Sequence, residues 1–294
     1  MFPKFNGGPA IIITAAFIGP GTITLCVLAG VQNGFSLLWA MLLSIFITIF
    51  IQNTTARISY TTRKGLAESL LLQTLNPIFK FLLTLLLISA IFIGNAAYEA
   101  GNLSGALIGF QSIATGEDFY FGTRFDFLPI FMGTLVAVLI LFGSNKLLKN
   151  VLVSIVLLMS VSFLITAVLT KPNLQNLVHG IFIPTFNAKD TLTIVGLLGT
   201  TVVPYNLFLH AALVKGEHFS LQSLQWDTVF AVSLGGLVSL CIIISAAALE
   251  GQSVESASDL GQALAPLYGG FATTLMSLGL FSAGITSAIT APMA

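Results

Sequence analysis

The sequence predicts an all-α, polytopic membrane protein, and two observations carry that prediction. Only 7% of the 294 residues are charged, against roughly 25% in an ordinary soluble domain, and 56% are hydrophobic. The apolar residues form runs of about 20, the length at which a helix crosses a ~30 Å hydrocarbon core. These runs are too long for the alternating strands of a membrane barrel. A formal net charge of zero leaves no overall basic face for nucleic acid.

Charged residues and turn signals divide the chain into about eight spans. No charged residue occurs between Lys4 and Arg57, and the Asn33-Gly34 turn splits that stretch in two. Polar loops separate the later spans from one another. We predict spans near Pro9 to Gly30, Phe35 to Ala56, Phe81 to Phe110, Phe127 to Phe142, Val151 to Thr170, Leu192 to Val214, Val229 to Leu249, and from Phe271 onward.

The remaining composition favours a helical bundle without enzymatic machinery. Cys26 and Cys241 both fall in apolar segments, where cysteine behaves as a small hydrophobic residue rather than as part of a disulfide framework. The first apolar segment lacks the cleavage site of a signal peptide, so we expect it to remain as a span. No nucleophile–base pair, nucleotide loop or cofactor motif occurs. We therefore expect no cofactor.

Two of the predicted spans contain a proline near the middle. Pro20 lies within residues 18–22 (IGPGT), and Pro204 lies within residues 200–206 (TTVVPYN). Proline removes a backbone donor and clashes with the carbonyl one turn back, so each helix should break there. Lipid cannot satisfy the freed backbone groups, so each break must face protein or a watery cavity.

The loop charges orient the chain and relate its two halves. With a cytoplasmic N-terminus, eight basic residues lie inside and three outside, as the positive-inside rule requires. Five spans precede the sixth, so the sixth runs opposite to the first. The paired breaks then belong to inverted repeats, the architecture of LeuT-like transporters. We expect one domain over 1–294, with a first repeat over 1–170 and a shortened second repeat over 191–294.

Several segments resemble the Nramp family of divalent-metal transporters. The similarity extends over nearly the whole chain and includes both breaks. It is carried by Gly8-Pro9-Ala10, Ile18-Gly19-Pro20-Gly21-Thr22, Leu28-Ala29-Gly30, Leu37-Leu38-Trp39, Glu99 to Gly109, Val203 to His210, and Ser277 to Gly284. The resemblance implies the LeuT-like fold with discontinuous first and sixth spans. Family members have ten or more spans, so we expect part of the second repeat to be missing.

The residues at the breaks depart from the family pattern. In the family the breaks have the sequences Asp-Pro-Gly-Asn and Met-Pro-His-Asn, whose Asp, Asn and Met bind Mn²⁺ or Fe²⁺ with nearby carbonyls. The matching metal positions here are Gly19, Thr22 and Val203, and Tyr205 replaces the histidine. The carboxylate and the soft thioether are therefore both absent.

The resemblance also implies positions for proton movement. Glu99 begins the matching third span, Asn102 stands where a second carboxylate is expected, and His210 matches a family histidine. Glu99 is the only acid within a predicted span, where a charge is costly and functional by default. The alternatives are that Glu99 lies at the wet end of its helix and that His210 makes a helix–helix hydrogen bond.

We accordingly predict three groups of site residues. The substrate pathway is expected at Ala16, Gly19, Thr22, Thr200, Val203, Tyr205 and Asn206, the helix breaks at Pro20, Gly21 and Pro204, and proton coupling at Glu99, Asn102 and His210. Other roles stay open for these residues. The glycines also suit close packing, the threonines bonding to their own helix, and Asn206 bonding to freed backbone.

Three functions remain open from the sequence. The first is a secondary transporter of metal cations, with or without proton coupling, whose neutral pocket suits a hard cation such as Mg²⁺. The second is a symporter of amino acids or other small organic solutes on the same fold. The third is a membrane protein that keeps the scaffold without transport. The partners expected are a cation or solute, H⁺ and the lipid bilayer of a bacterial inner membrane.

The loop charges generate a testable topology. We expect the N-terminus and the loop around Arg63 and Lys64 to be cytoplasmic, and the loop at Glu117 to be outside. Single cysteines introduced into a background lacking Cys26 and Cys241, then labelled from each side, measure it. Labelling of Lys64→Cys from outside would overturn the assignment.

Overall fold

The computed structural model describes residues 10–115, 127–216, 220–251, 254, 259 and 269–294. Within these residues the chain is helical, and no strand occurs. A π-helical segment, Ser89–Ile93, joins α5 to α6. The helices are α1 (Ala10–Phe17), α2 (Pro20–Asn33), α3 (Leu38–Thr62), α4 (Leu66–Gln73), α5 (Pro77–Ile88), α6 (Gly94–Thr115), α7 (Phe127–Phe142), α8 (Asn145–Leu169), α9 (Leu174–Phe182), α10 (Thr191–Thr201), α11 (Pro204–Val214), α12 (Leu221–Ala247) and α13 (Gly270–Thr290).

The predicted membrane spans correspond to these helices. Six helical runs of the described chain are long and apolar enough to cross a bilayer, and α7 is a shorter apolar helix. The first predicted span is divided into α1 and α2, and the sixth into α10 and α11. The all-α, multi-pass prediction is therefore confirmed.

Capping residues explain where the observed bounds differ from the predicted ones. The third span begins at Pro77 rather than near Phe81, because Asn76 Oδ1 accepts the amide of Ile78 at 2.9 Å and starts the helix early. The seventh begins at Leu221 rather than Val229, because Ser220 Oγ accepts the amide of Ser223 at 3.2 Å. Residues 57–80, which lie between the second and third predicted spans, contain the end of α3, all of α4 and the start of α5.

The centre of the bundle is formed by α12 and α13. Of the apolar stretch in Gly270–Met293, 78% is buried, against 6% in Pro77–Ile113. Small residues let the central helices approach closely: a Cβ at Gly284 would lie 2.5 Å from the amide nitrogen of Ala106 on α6. A Cβ at Gly30 would lie 2.5 Å from the carbonyl oxygen of Ile243 on α12. The apolar surface available to lipid is therefore large on α5, whereas α13 lies in the buried core.

Helix α6 also packs directly on the proline of the first break. A Cβ at Gly105 would lie 2.3 Å from Cβ of Pro20, closer than carbon atoms approach without a shift. Four residues earlier, Gly101 has no neighbouring atom within 4 Å of the corresponding position. Gly105 therefore sets how closely α6 can support the break, and Gly101 does not.

This contact predicts a difference between two alanine substitutions in the same helix. Gly105→Ala should lower the apparent Tm, because the added methyl forces α6 away from Pro20, and overpacking costs about 1–3 kcal/mol. Gly101→Ala is the matched control and should leave Tm unchanged or raise it, since alanine favours helix over glycine. Thermal unfolding in detergent, followed by size-exclusion fluorescence, measures both. Equal melting of the two variants would contradict the packing argument.

Candidate functional site

Each proline begins a helix after two residues that are not helical. Gly19 has φ −104° and ψ 171°, and α2 starts at Pro20. In the second break Val202 has φ −99° and ψ 69°, Val203 has φ −86° and ψ 131°, and α11 starts at Pro204. The ring of proline disfavours the helical conformation in the residue before it, while proline itself suits the first helical position. Local sequence therefore accounts for both breaks.

Hydrogen bonds join one break to the other across the bundle. The hydroxyl of Tyr205, at the start of α11, donates to the carbonyl oxygen of Ala16 on α1 at 3.0 Å. The hydroxyl of Thr22, on α2, donates to the carbonyl oxygen of Thr200 on α10 at 3.4 Å. Each bond links a half-helix of one broken span to a half-helix of the other. The two breaks therefore form one structural unit.

Helix α13 supplies a third hydroxyl that sequence reasoning missed. Ser287 Oγ donates to the carbonyl oxygen of Ile18 at 3.2 Å and so satisfies the first break directly. Asn95 Nδ2 on α6 donates to the carbonyl oxygen of Ala291, just beyond α13, at 3.0 Å. The available signal was an unusual concentration of hydroxyl residues in an apolar span, namely Ser277, Ser282, Thr286, Ser287 and Thr290.

A small cavity of about 40 Å³ lies between the two breaks. It gathers most of the predicted pathway residues and two aromatic residues that were not predicted. A water molecule takes up ~30 Å³ of liquid, so the cavity holds about one water or one dehydrated ion. Its lining consists of Ala16, Phe17, Gly19, Gly21, Thr22, Tyr98, Asn102, Thr200, Val203 and Tyr205.

The chemistry of the cavity is neutral and rich in oxygen. Its polar groups are carbonyls, hydroxyls and amides. No described lining residue has a carboxylic acid, an imidazole or a thioether. Over the described part of the chain, no group of three or more His, Cys, Asp and Glu residues could hold a metal ion. A Cβ at Gly19 would lie 3.2 Å from Ser287 Oγ and 3.5 Å from Asn102 Oδ1. A side chain at this position would therefore face polar groups, and Ser287 would have to shift by a few tenths of an ångström to admit it.

Two further predicted residues lie beside the cavity rather than in its lining. Asn206 is completely buried, and its amide nitrogen and oxygen have no partner among the residues that the structure describes. Its backbone amide donates to the carbonyl oxygen of Val203 at 3.1 Å, within the second break. Glu99 is half-buried, and its Oε2 is likewise unpartnered within the described chain. Tyr98, one position before Glu99, and Asn102, three positions after it, line the cavity.

His210 lies in a separate polar contact between three helices. Its Nδ1 is 2.6 Å from Gln52 Oε1 on α3, and its Nε2 is 3.4 Å from Thr228 Oγ1 on α12. Because an amide oxygen only accepts, Nδ1 carries a proton in this arrangement. All three side chains are buried. His210 therefore bonds α11 to its two neighbours and does not reach the cavity.

An all-α membrane bundle with two adjoining discontinuous helices defines a transporter-like protein of the LeuT fold. The family described as natural resistance-associated macrophage protein-like matches residues 10–294. The chain belongs to this Nramp family.

Two named relatives and one solved structure show how far the similarity extends. The chain is 29% identical over 308 residues to the divalent metal cation transporter MntH of Deinococcus radiodurans, covering 98% of this chain and 66% of that protein. It is 27% identical over 297 residues to MntH of Klebsiella pneumoniae, covering 98% and 70%. A crystal structure of the Eremococcus coleocola manganese transporter superposes with a TM-score of 0.81 at 19% identity, covering 98% and 65%. The chain thus spans about two thirds of the length of these proteins.

The bond from Tyr205 to Ala16 predicts that its hydroxyl stabilises the joined breaks. Tyr205→Phe should lower the apparent Tm, because a buried hydrogen bond contributes about 1 kcal/mol. Tyr98→Phe is the matched control: the Tyr98 ring meets Tyr205 edge-on, with centroids 5.5 Å apart, and this contact survives loss of either hydroxyl. Thermal unfolding in detergent compares the variants. A Tyr205→Phe protein as stable as wild type would show that the bond contributes nothing.

Proposed function

We propose that this protein is a secondary transporter of divalent metal cations, and that the cation binds in the cavity between the two breaks. One observation supports this most directly: two half-helix pairs from opposite ends of the chain share a cavity lined by oxygen atoms. Broken helices at the midplane are where transporters of this architecture bind ions. The relatives from Deinococcus and Klebsiella bear the name of divalent metal cation transporters.

The size of the cavity favours an ion over an organic solute. Pockets for organic ligands usually measure roughly 300–1,000 Å³, while this one measures about 40 Å³. An amino acid would need the two breaks to separate, which would rupture the bonds from Tyr205 and Thr22. A cation that has shed its water needs no such opening. The observed state therefore supports the cation transporter over the organic-solute symporter.

The polar groups of the cavity support a preference for hard cations. Carbonyl, hydroxyl and amide oxygens suit Mg²⁺, Ca²⁺ and Mn²⁺ alike, and only sulfur or nitrogen ligands reward a softer ion. The carbonyl oxygens of the lining residues Ala16 and Thr200 each already accept one hydroxyl bond. Each carbonyl has a second lone pair that remains for a cation. We therefore propose weak discrimination between Mn²⁺ and Mg²⁺.

We also propose how the chain is organised around this site. Residues 1–170 would form the first repeat and 191–294 part of the second, with the N-terminus cytoplasmic in a bacterial inner membrane. Glu99 is the proposed proton-coupling residue, because it lies three positions before the cavity residue Asn102 on α6 and so shares its face. His210 is proposed to couple protons only through movement of α11, since its side chain is bonded elsewhere.

Uptake into proteoliposomes tests the proposal together with its selectivity. Wild type should take up Mn²⁺ and Mg²⁺ at comparable rates and should not take up amino acids. Gly19→Asp combined with Val203→Met should tighten Mn²⁺ binding about tenfold, or ~1.4 kcal/mol, relative to Mg²⁺. The physical reason is that a carboxylate attracts any dication, while a thioether rewards only the softer one. Uptake measured over a range of Mn²⁺ and Mg²⁺ concentrations gives the two apparent affinities.

A neighbouring residue provides the matched control. Gly19→Asp combined with Val202→Met carries the same two side chains, but Val202 does not line the cavity, so its thioether should add no Mn²⁺ preference. Strong selectivity for Mn²⁺ in uptake by the unmodified protein would show that other residues bind the transported ion. Uptake of amino acids without uptake of either cation would replace the proposal by the symporter alternative.

A further inference from the structure

A second cavity, of about 210 Å³, lies at the far end of α2 from the breaks. Helix α2 begins at Pro20 beside the first cavity and ends at Asn33, which lines the second. Its 14 residues separate the two cavities by about 20 Å. The second cavity is therefore a distinct place in the fold. It is lined by Asn33, Phe35, Ser36, Asn176, His179, Gly180, Ile183, Thr185 and Glu250.

The lining of this end cavity differs chemically from that of the first. Among the residues that the structure describes, it contains one imidazole, from His179 on α9, and one carboxylate, from Glu250 after α12, and no lysine or arginine. Two amides and two hydroxyls complete its polar side chains. Imidazole nitrogen together with carboxylate and amide oxygen is a ligand set that suits divalent transition metals. The one formal charge among the described lining residues is negative and attracts a cation.

Hydrogen bonds hold the wall of the end cavity in place. Asp190 is buried and accepts from Asn33 Nδ2 at 2.9 Å and from Asn187 Nδ2 at 3.1 Å. Because the amide nitrogen of Asn33 is committed to Asp190, its Oδ1 remains as an oxygen ligand. On the other side, Thr185 Oγ1 donates to the carbonyl oxygen of Ser36 at 3.3 Å. The turn after α2 and the segment after α9 are thereby tied together.

Two glycines make the close approaches that shape the cavity. Gly34 has φ +55°, a conformation that favours glycine, and a Cβ there would lie 2.4 Å from Glu250 Oε2, so a larger residue would displace the carboxylate. A Cβ at Gly180 would lie 2.1 Å from the carbonyl oxygen of Phe35. The amide of Gly251 donates to the carbonyl oxygen of Val31 at 3.1 Å and anchors the segment that carries Glu250. The carboxylate is therefore positioned by the backbone and not only by its own side chain.

We propose that this end cavity binds a divalent transition-metal cation between His179 and Glu250, with Asn33 Oδ1 as a further ligand. The volume corresponds to about seven waters, so the cation keeps part of its hydration shell. This site would select by nitrogen coordination, which the neutral cavity between the breaks lacks. The proposal depends on the contacts at this end of α2 and stands whether or not the protein transports.

Trp39 provides a local fluorescence reporter for the proposed site. Its Nε1 donates to the carbonyl oxygen of Thr185, a lining residue, at 3.2 Å. The chain has two tryptophans, so Trp226→Phe leaves Trp39 as the single one, and Trp226 is half exposed on α12. Titration of this purified variant with Mn²⁺ should quench Trp39 saturably. An equal concentration of Mg²⁺ should compete poorly, because it does not favour imidazole.

Substitution of the two principal ligands decides the proposal. His179→Ala and Glu250→Gln, each in the Trp226→Phe background, should weaken the apparent Mn²⁺ affinity at least about tenfold. Both side chains are exposed, so neither change removes core packing. The matched controls are Gln175→Ala, exposed on the same helix as His179, and Glu68→Gln, whose carboxylate pairs with Lys64 at 3.8 Å on α4. Both controls should quench as the parent does.

The outcomes separate this site from the transport proposal. Absence of saturable quenching, or equal affinity in the ligand variants and the controls, would overturn the end-cavity site. Saturable quenching that His179→Ala abolishes, together with proteoliposomes that take up no cation, would retain the site and reject transport. Uptake of Mn²⁺ without quenching of Trp39 would support transport and reject the end-cavity site.

Discussion

The structure depends on one constraint, the need to satisfy backbone carbonyls that a broken helix leaves inside an apolar bundle. Lipid offers no donor to these groups, so each break must find hydroxyls or amides from other helices. Tyr205, Ser287 and Thr22 supply them, and they come from α11, α13 and α2. Because each donor lies on a different helix from its acceptor, satisfying the breaks also determines how the helices pack.

The same bonds determine the chemistry of the cavity between the breaks. A family member with an acid and a thioether at these positions can bind a cation with strong ligands, whereas Gly19 and Val203 contribute neither. What remains is a small set of neutral oxygens, several of which are already engaged in bonds between helices. In the proposed site, ion binding and helix packing would therefore share the same carbonyl oxygens. An imidazole nitrogen lies instead at the other end of α2, in the cavity lined by His179.

Much of the fold was predictable because it follows from length, charge and proline. Apolar runs of membrane length predicted the spans, and Pro20 and Pro204 predicted breaks that the structure places directly before each proline. The bounds were less accurate where a polar cap starts a helix early, as Asn76 and Ser220 do. A cap acts through one side chain and one or two backbone amides. Its signal is therefore hidden when hydropathy is averaged over a whole apolar segment.

Patterns along the chain were enough to predict the class of protein, the helical spans and the two breaks. Which of the candidate residues meet was visible only in the folded structure. It brought Thr22, Asn102 and Tyr205 to one cavity, paired Ser287 of α13 with the carbonyl oxygen of Ile18, and placed His210 against Gln52 and Thr228. The physical reason is that propensity and patterning act over a few neighbouring residues. Partners such as Ser287 and Ile18, 269 positions apart, are selected only when whole helices pack.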